Sequence, residues 1–131
     1  MSAPILASRR RVLIAEDSAV NQKLLSALLS NLGYNVSVAE NGLQAVELYC
    51  DAPFDLVLMD VQMPVMDGLQ ATQQIREREI GTGKRVLIIA VTAGFDRETC
   101  LGAGMDDHLE KPVRPKVLRS LLGQHTGLAF S

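Results

Sequence analysis

The chain contains no tryptophan, two tyrosines and three phenylalanines. That is too few rings for a base-stacking surface. Thirteen basic residues stand against fifteen acidic ones, a net charge of −2. There is no cationic excess to grip nucleic acid, and no direct nucleic-acid contact is expected. The two cysteines, Cys50 and Cys100, are far apart and form no CxxC pair. They exclude a zinc or disulfide framework and read as reduced thiols of a cytoplasmic protein. The longest strongly apolar stretch covers residues 86–95, too short to span a bilayer. A mildly apolar N-terminus precedes Arg9, Arg10 and Arg11, the reverse of the order in a secretory signal. No membrane contact is therefore expected. Neither GxGxxG nor GxxxxGK[ST] occurs, which disfavours nucleotide binding by those loops.

What is present is a globular composition, 47% hydrophobic and 21% charged over 131 residues. One domain of this size buries roughly two-thirds of its unfolded surface, enough for a core without staples. Dense apolar runs alternate with helical periodicity. Arg11 to Ala15 is a short run ending in Glu16-Asp17. Ser18 can cap a helix bearing Val20, Leu24, Leu25, Leu28, Leu29 and Leu32, and Gly33 stops it. Asn35 to Ala39 reads as a strand and Gly42 to Tyr49 as a helix. Phe54 to Met59 is a second dense run, ending in Asp60. Asp67 can cap a helix with Leu69, Ala71, Thr72 and Ile75 inward. Val86 to Val91 ends in Thr92, and a short weak helix follows over Asp96 to Ala103. His108 to Glu110 is a brief strand ending in Lys111-Pro112. Pro115 suits the first turn of a last helix, which Gly123 would end. Residues 1–9 and 125–131 read as tails or linkers around a domain over 10–124.

Continuous Val/Ile/Leu runs, without strict alternation, mark strands covered on both faces, as in a parallel sheet. Right-handed crossovers then place helices on both sides, giving a doubly wound α/β sandwich. Its site lies beyond the carboxyl ends of the strands. Glu16-Asp17, Asp60, Thr92 and Lys111 end four of the runs, so a parallel sheet brings three carboxylates, a hydroxyl and an ammonium to one edge. Crowded carboxylates raise one another's pKa, and a hard divalent cation such as Mg²⁺ or Mn²⁺ relieves the conflict. Asp60 could then attack phosphorus as a carboxylate nucleophile, with Lys111 and Thr92 holding phosphoryl oxygens.

The stretches VLIAEDSAVNQKLL, LVLMDVQMPVMDGLQAT, LIIAVTA and GMDDHLEKPV, in this order, closely resemble the response-regulator receiver domain of two-component phosphorelays. The likeness covers residues 10–124, and LMDVQMPVMDG with GMDDHLEKP resembles receivers attached to hybrid sensor histidine kinases. The resemblance implies a flavodoxin-like (βα)5 sandwich with a five-stranded parallel sheet in the order 2-1-3-4-5. Asp60 matches the phospho-accepting aspartate. Asp17 matches the direct carboxylate metal ligand, Glu16 its acidic neighbour, and Gln62 the residue whose backbone carbonyl binds the metal. Thr92 matches the switch hydroxyl and Lys111 the phosphate-pairing lysine. Pro112 matches a proline whose preceding peptide is typically cis. His108 stands where receivers usually carry a switch aromatic, which departs from the usual pairing with Thr92. Implied partners are a histidine kinase, a histidine phosphotransfer protein, or both, with the domain acting as a monomer.

Each residue alone has a plainer explanation: Glu16-Asp17 favouring a helix start, Asp60 a turn residue, Thr92 a turn cap, Lys111 a solvated lysine. Jointly these explanations are improbable. Asp106-Asp107 reads as a solvated loop pair, Met59, Met63 and Met66 as loop packing, and Gly42, Gly68 and Gly104 as turn and cap positions. His108 reads as semi-buried, and neither it nor His125 suits a phospho-donor site. An aspartate-nucleophile phosphohydrolase is the weaker enzymatic alternative, because position 62 holds Gln where such enzymes carry a general acid. A never-phosphorylated scaffold is the other. The protein-binding face expected to switch comprises the weak helix, the His108 strand and the last helix. A receiver excised from a longer hybrid kinase is favoured over a stand-alone one. Gln62 and Gly94 are expected to flank the water path, and small Gly94 predicts a labile phosphoryl group.

Overall fold

A computed structural model describes residues 10–127. Five strands, β1 (Arg11–Ala15), β2 (Asn35–Ala39), β3 (Leu56–Asp60), β4 (Leu87–Thr92) and β5 (Asp107–Glu110), alternate with five helices. The helices are α1 (Ala19–Asn31), α2 (Gly42–Asp51), α3 (Gly68–Glu79), α4 (Arg97–Gly102) and α5 (Pro115–Thr126). All strand pairs are parallel, as the apolar runs predict, and the order is β2-β1-β3-β4-β5, as the resemblance implies.

The apolar runs work as two-faced strands. Val12, Ile14, Leu56, Leu58, Ile89 and Val91 point to one side, where Leu25 and Leu29 of α1 and Leu118 and Leu122 of α5 cover them. Leu13, Ala15, Val57, Met59, Ile88 and Ala90 point to the other, under α2, α3 and α4. Because β1 leads outward to β2 while β3 leads the opposite way to β4, the winding reverses between β1 and β3. That gap is where a doubly wound sheet opens a crevice.

Helix starts follow the capping residues. The side chains of Ser18, Asn41, Asp67 and Asp96 each accept a hydrogen bond from a backbone N–H three residues on. Asp67 and Gln70 complete a reciprocal capping box.

Three expectations need correction. Val20 and Leu24 are not buried in the core: they are 76% and 46% exposed. Gly123 does not end the last helix, which continues to Thr126 and closes at Gly127 with a φ of 73°. Residues 125 and 126 are thus helical, while tail residues 1–9 and 128–131 lie outside the described residues. Asp106 and Asp107 are not a solvated pair. Asp106 accepts from Arg76 and Arg85 at 2.8 Å each and from the Ile88 N–H. Asp107 sits 3.4 Å from Arg97 and 3.0 Å from His125.

Asp106 belongs to a network at the edge opposite the strand ends. Arg76 also donates to Glu79, to the Val86 carbonyl and to the Gly104 carbonyl. Glu79 accepts in addition from Tyr49 Oη and the Val86 N–H. Burial, reinforced by Glu79, pushes the Tyr49 hydroxyl up to about 12. Removing Asp106 leaves Arg76 and a strand N–H short of an acceptor, whereas the partners of Asp107 are more exposed. Urea unfolding should therefore show Asp106→Ala losing about 2–3 kcal/mol and Asp107→Ala less than about 1 kcal/mol. Equal losses would contradict this account.

Candidate functional site

Glu16 and Asp17 follow β1, Asp60 ends β3, Thr92 ends β4, and Lys111 follows β5. Parallel pairing brings these strand ends to one edge of the sheet, with Asp60 opposite Val91 and Thr92 opposite Glu110. Glu16, Asp17 and Asp60 each offer a carboxylate oxygen within 4.8 Å of the others.

Their surroundings differ. Glu16 is 1% exposed and Asp60 5%, whereas Asp17 is exposed. Glu16 Oε2 accepts from the Ser18 N–H at 3.0 Å. Asp60 Oδ1 accepts from the Gln62 N–H at 3.2 Å, and Oδ2 accepts from Lys111 Nζ at 3.1 Å. Lys111 Nζ also lies 3.0 Å from Glu16 Oε1. That second contact is an ion pair without hydrogen-bond alignment, so buried Oε1 has no well-directed donor.

One ammonium therefore faces three carboxylates. Burial raises the Asp60 pKa to about 6, with the neighbouring charge of Glu16 adding to the rise and Lys111 opposing it. Burial would lower the Lys111 pKa, but Glu16 and Asp60 outweigh it and hold the ammonium charged. A buried oxygen whose one partner is a shared ammonium, a reluctant carboxylate and all-oxygen donors fit a small hard cation. Glu16, Asp17 and Asp60 are the residues that would hold it.

Thr92 is buried, and its hydroxyl oxygen accepts from the Gly94 and Phe95 N–H groups at 3.3 and 3.2 Å. The Thr92 carbonyl accepts from the Lys111 N–H at 2.9 Å, and the Lys111–Pro112 peptide is cis. His108 is half-buried and pairs with Ala90, two residues before Thr92, so both side chains stand on the α4 face. Glu16, Asp17, Asp60 and Lys111 thus converge as predicted, while the Thr92 hydroxyl is engaged by the β4–α4 loop.

Sequence reading missed two contributors. Gly42 and Gly68, read as turn and cap positions, are the first residues of α2 and α3, directly after the N-caps Asn41 and Asp67. Each is required by close approach: a Cβ on Gly68 would fall on the Asp60 carbonyl, and one on Gly42 on the Met66 carbonyl. It also missed Val65, whose φ of 71° is unusual for a β-branched residue. The stretch LMDVQMPVMDG around Asp60 was visible, but a contact across the chain was not.

The chain matches the response regulator receiver domain family over residues 12–123. It is 43% identical over 132 residues to the sensor protein GacS of Pseudomonas syringae pv. syringae, covering 97% of this chain and 15% of that protein. It is 41% identical over 121 residues to hybrid signal transduction histidine kinase I of Dictyostelium discoideum, covering 86% of this chain and 7% of that protein. The chain thus spans a small part of these relatives. Among solved structures, it is similar to the receiver domain of sensor histidine kinase PA1611 from Pseudomonas aeruginosa PAO1, which has a magnesium ion coordinated in its active-site cleft. The identity is 42% with a TM-score of 0.82, covering 92% of this chain and all (100%) of that one. It is also similar, at 31% identity and a TM-score of 0.80 over 88% of each chain, to a Saccharomyces cerevisiae structure. That one holds the phosphotransfer protein Ypd1 with the receiver domain of Ssk1. On the family match, these relatives and the shared fold, the chain belongs to the response-regulator receiver domains.

Proposed function

We propose that this domain accepts a phosphoryl group on Asp60 from a phosphohistidine of a histidine kinase or a histidine phosphotransfer protein, and relays it through protein contacts. The observation that carries the reading is the unequal match of charge: three carboxylates, two of them buried, against Lys111 as their one ion-pair partner among the described residues. Such a site is under-neutralised as it stands. It suits a ligand pair of a cation and a phosphoryl group better than a structural ion pair.

In the transfer, one Asp60 carboxylate oxygen forms a bond to phosphorus as the phosphorus–nitrogen bond breaks, and the imidazole leaves with the electron pair. Lys111, already 3.1 Å from Asp60 Oδ2, is placed to follow a phosphoryl oxygen. Glu16, Asp17 and Asp60, with the Gln62 backbone carbonyl, would hold Mg²⁺, and the same oxygens suit Mn²⁺. The bound cation supplies charge neutralisation on the phosphoryl oxygens. A Cβ built on Gly94 meets nothing within 4 Å, which supports open water access and a short-lived acyl phosphate. Gln62 at the second position past Asp60 provides no general acid, so the phosphohydrolase reading is weaker. The family's position within hybrid kinases supports a cytoplasmic setting and a relay to a phosphotransfer protein. A monomer suffices, since all the site residues come from one chain. Among the described residues, no helix is long and apolar enough to cross a membrane.

Two outcomes are expected. Intact mass after incubation with acetyl phosphate and Mg²⁺ should show one added phosphoryl group, absent in Asp60→Asn and with EDTA. No adduct, together with no beryllofluoride-induced shift of the Thr92 and Lys111 amides, would leave the scaffold reading instead. The second outcome concerns pH. The Asp60 proton must leave before three carboxylates share a cation. With its pKa at about 6, apparent Mg²⁺ affinity should fall by up to about tenfold per pH unit below 6 and be flat above about pH 7. The folded pKa lies above the ordinary 3.8, so without metal this group's share of stability is lost as pH rises from about 4 to 6. Calorimetric titration at several pH values reads the first effect and urea unfolding the second. A pH-independent Mg²⁺ affinity would contradict both.

A further inference from the structure

Helix α2 carries none of the residues placed around Asp60, yet its first residue touches the loop that leaves Asp60. The Gly42 N–H donates to the Met66 carbonyl at 2.9 Å. A Cβ built on Gly42 would overlap that carbonyl oxygen and lie 2.9 Å from both the Met66 carbonyl carbon and the Asp67 oxygen. Contacts that short are not met by real Cβ atoms, and here the obstacle is backbone. Gly42 does not have positive φ, so it is required for space and not for its dihedral.

The loop it meets is under strain. Val65 has a φ of 71°, and the Met66 N–H donates back to the Pro64 carbonyl at 2.7 Å, closing a three-residue turn. A β-branched residue adopts that conformation only where neighbouring contacts over-determine it. Two contacts do so. At the base of the loop the Gly68 N–H donates to the Val61 carbonyl at 2.8 Å, and at its far end Gly42 holds Met66. Between them lies Gln62, whose N–H is tied to Asp60 Oδ1.

We infer that Gly42 is a positioning residue for the metal and phosphoryl site: its N–H and bare Cα clamp Met66 and thereby set the strained loop that aims the Gln62 carbonyl. The inference rests on the receiver reading above. It assigns to the start of α2 a part in cation affinity that its distance from the acidic residues in sequence conceals.

The test compares Gly42→Ala with Gly102→Ala, a helical glycine whose added Cβ meets nothing within 4 Å. Mg²⁺ affinity is measured by calorimetry, stability by urea unfolding, and amide shifts by NMR. Gly42→Ala should weaken Mg²⁺ binding at least tenfold, with metal-free shift changes concentrated over residues 61–68, and Gly102→Ala should leave affinity within twofold. Gly42→Ala that loses stability but keeps Mg²⁺ affinity within twofold would overturn the inference, since that is what simple packing predicts. Should Gly42→Ala not fold, the wild-type protein still decides. The coupling across the Gly42 N–H to Met66 carbonyl hydrogen bond should change on adding Mg²⁺ in step with the Gln62 amide, and a coupling unmoved while Gln62 responds would refute the clamp. Wild-type protein that binds no Mg²⁺ would instead sink the receiver reading, and the clamp with it.

Discussion

Three carboxylates gathered within 4.8 Å at the end of a buried strand are the constraint around which the rest is arranged. In isolation they repel, and burial of Asp60 adds to the cost of its charge. Lys111 offsets part of this by lying about equally close to Glu16 and Asp60, at 3.0 and 3.1 Å. The remainder is left open. The opposite edge of the domain shows what a closed arrangement looks like. There Glu79 and Asp106 are matched by Arg76 and Arg85, and their oxygens also take the Val86 and Ile88 N–H groups and Tyr49 Oη. Both edges hold buried acids, but only one leaves them short of counter-charge. That difference separates a structural ion network from a site that waits for a ligand.

The sheet makes this tolerable. β3 is buried along its whole length and sits between β1 and β4, so Asp60 is fixed by its pairing with Val91 and by Met59 before it, which pairs with Ala15 and Ala90. The reversal of winding between β1 and β3 removes any helix from directly above that gap. Water, a cation or a phosphoryl group can therefore reach an aspartate whose own strand is part of the core. Gly68 completes the arrangement by letting α3 begin against the Asp60 carbonyl.

Much of this was legible in the sequence, for physical reasons. Dense apolar runs over Arg11 to Ala15, Phe54 to Met59 and Val86 to Val91 require cover on both faces, which points to a parallel, doubly wound sheet. Once the strands are parallel, residues at their carboxyl ends must meet, so Glu16, Asp17, Asp60 and Lys111 could be grouped without coordinates. What failed were features that depend on contacts between distant segments. Val20 and Leu24 have helical spacing, but periodicity does not say how wide a stripe the sheet covers. Asp106 looked like a loop acid because nothing in its neighbourhood announces Arg76, thirty residues earlier. Gly123 suggested a helix end, yet the helix continues to a glycine four residues later that adopts the left-handed φ. Gly42 looked like a turn glycine because its reason, the Met66 carbonyl, is contributed by another loop.

The Thr92 hydroxyl shows how the proposed chemistry could reach the surface of the domain. Its oxygen accepts from the Gly94 and Phe95 N–H groups, which begin the connection into α4. A phosphoryl group on Asp60 would compete for that hydroxyl as a donor, and rotation toward it would withdraw the oxygen from both amides. At the other end of α4, the Gly104 carbonyl is held by Arg76 and the following Asp106 by Arg76 and Arg85. α4 is six residues long and carries Gly102, so it has little internal stability of its own. Loss of the Thr92 contacts would free the N-terminal side of α4 while its C-terminal side stays tied. His108 is half-buried on the same face of the sheet. In the proposed phosphorylated state, coupling to α4 would run through the two amides that the Thr92 hydroxyl lets go.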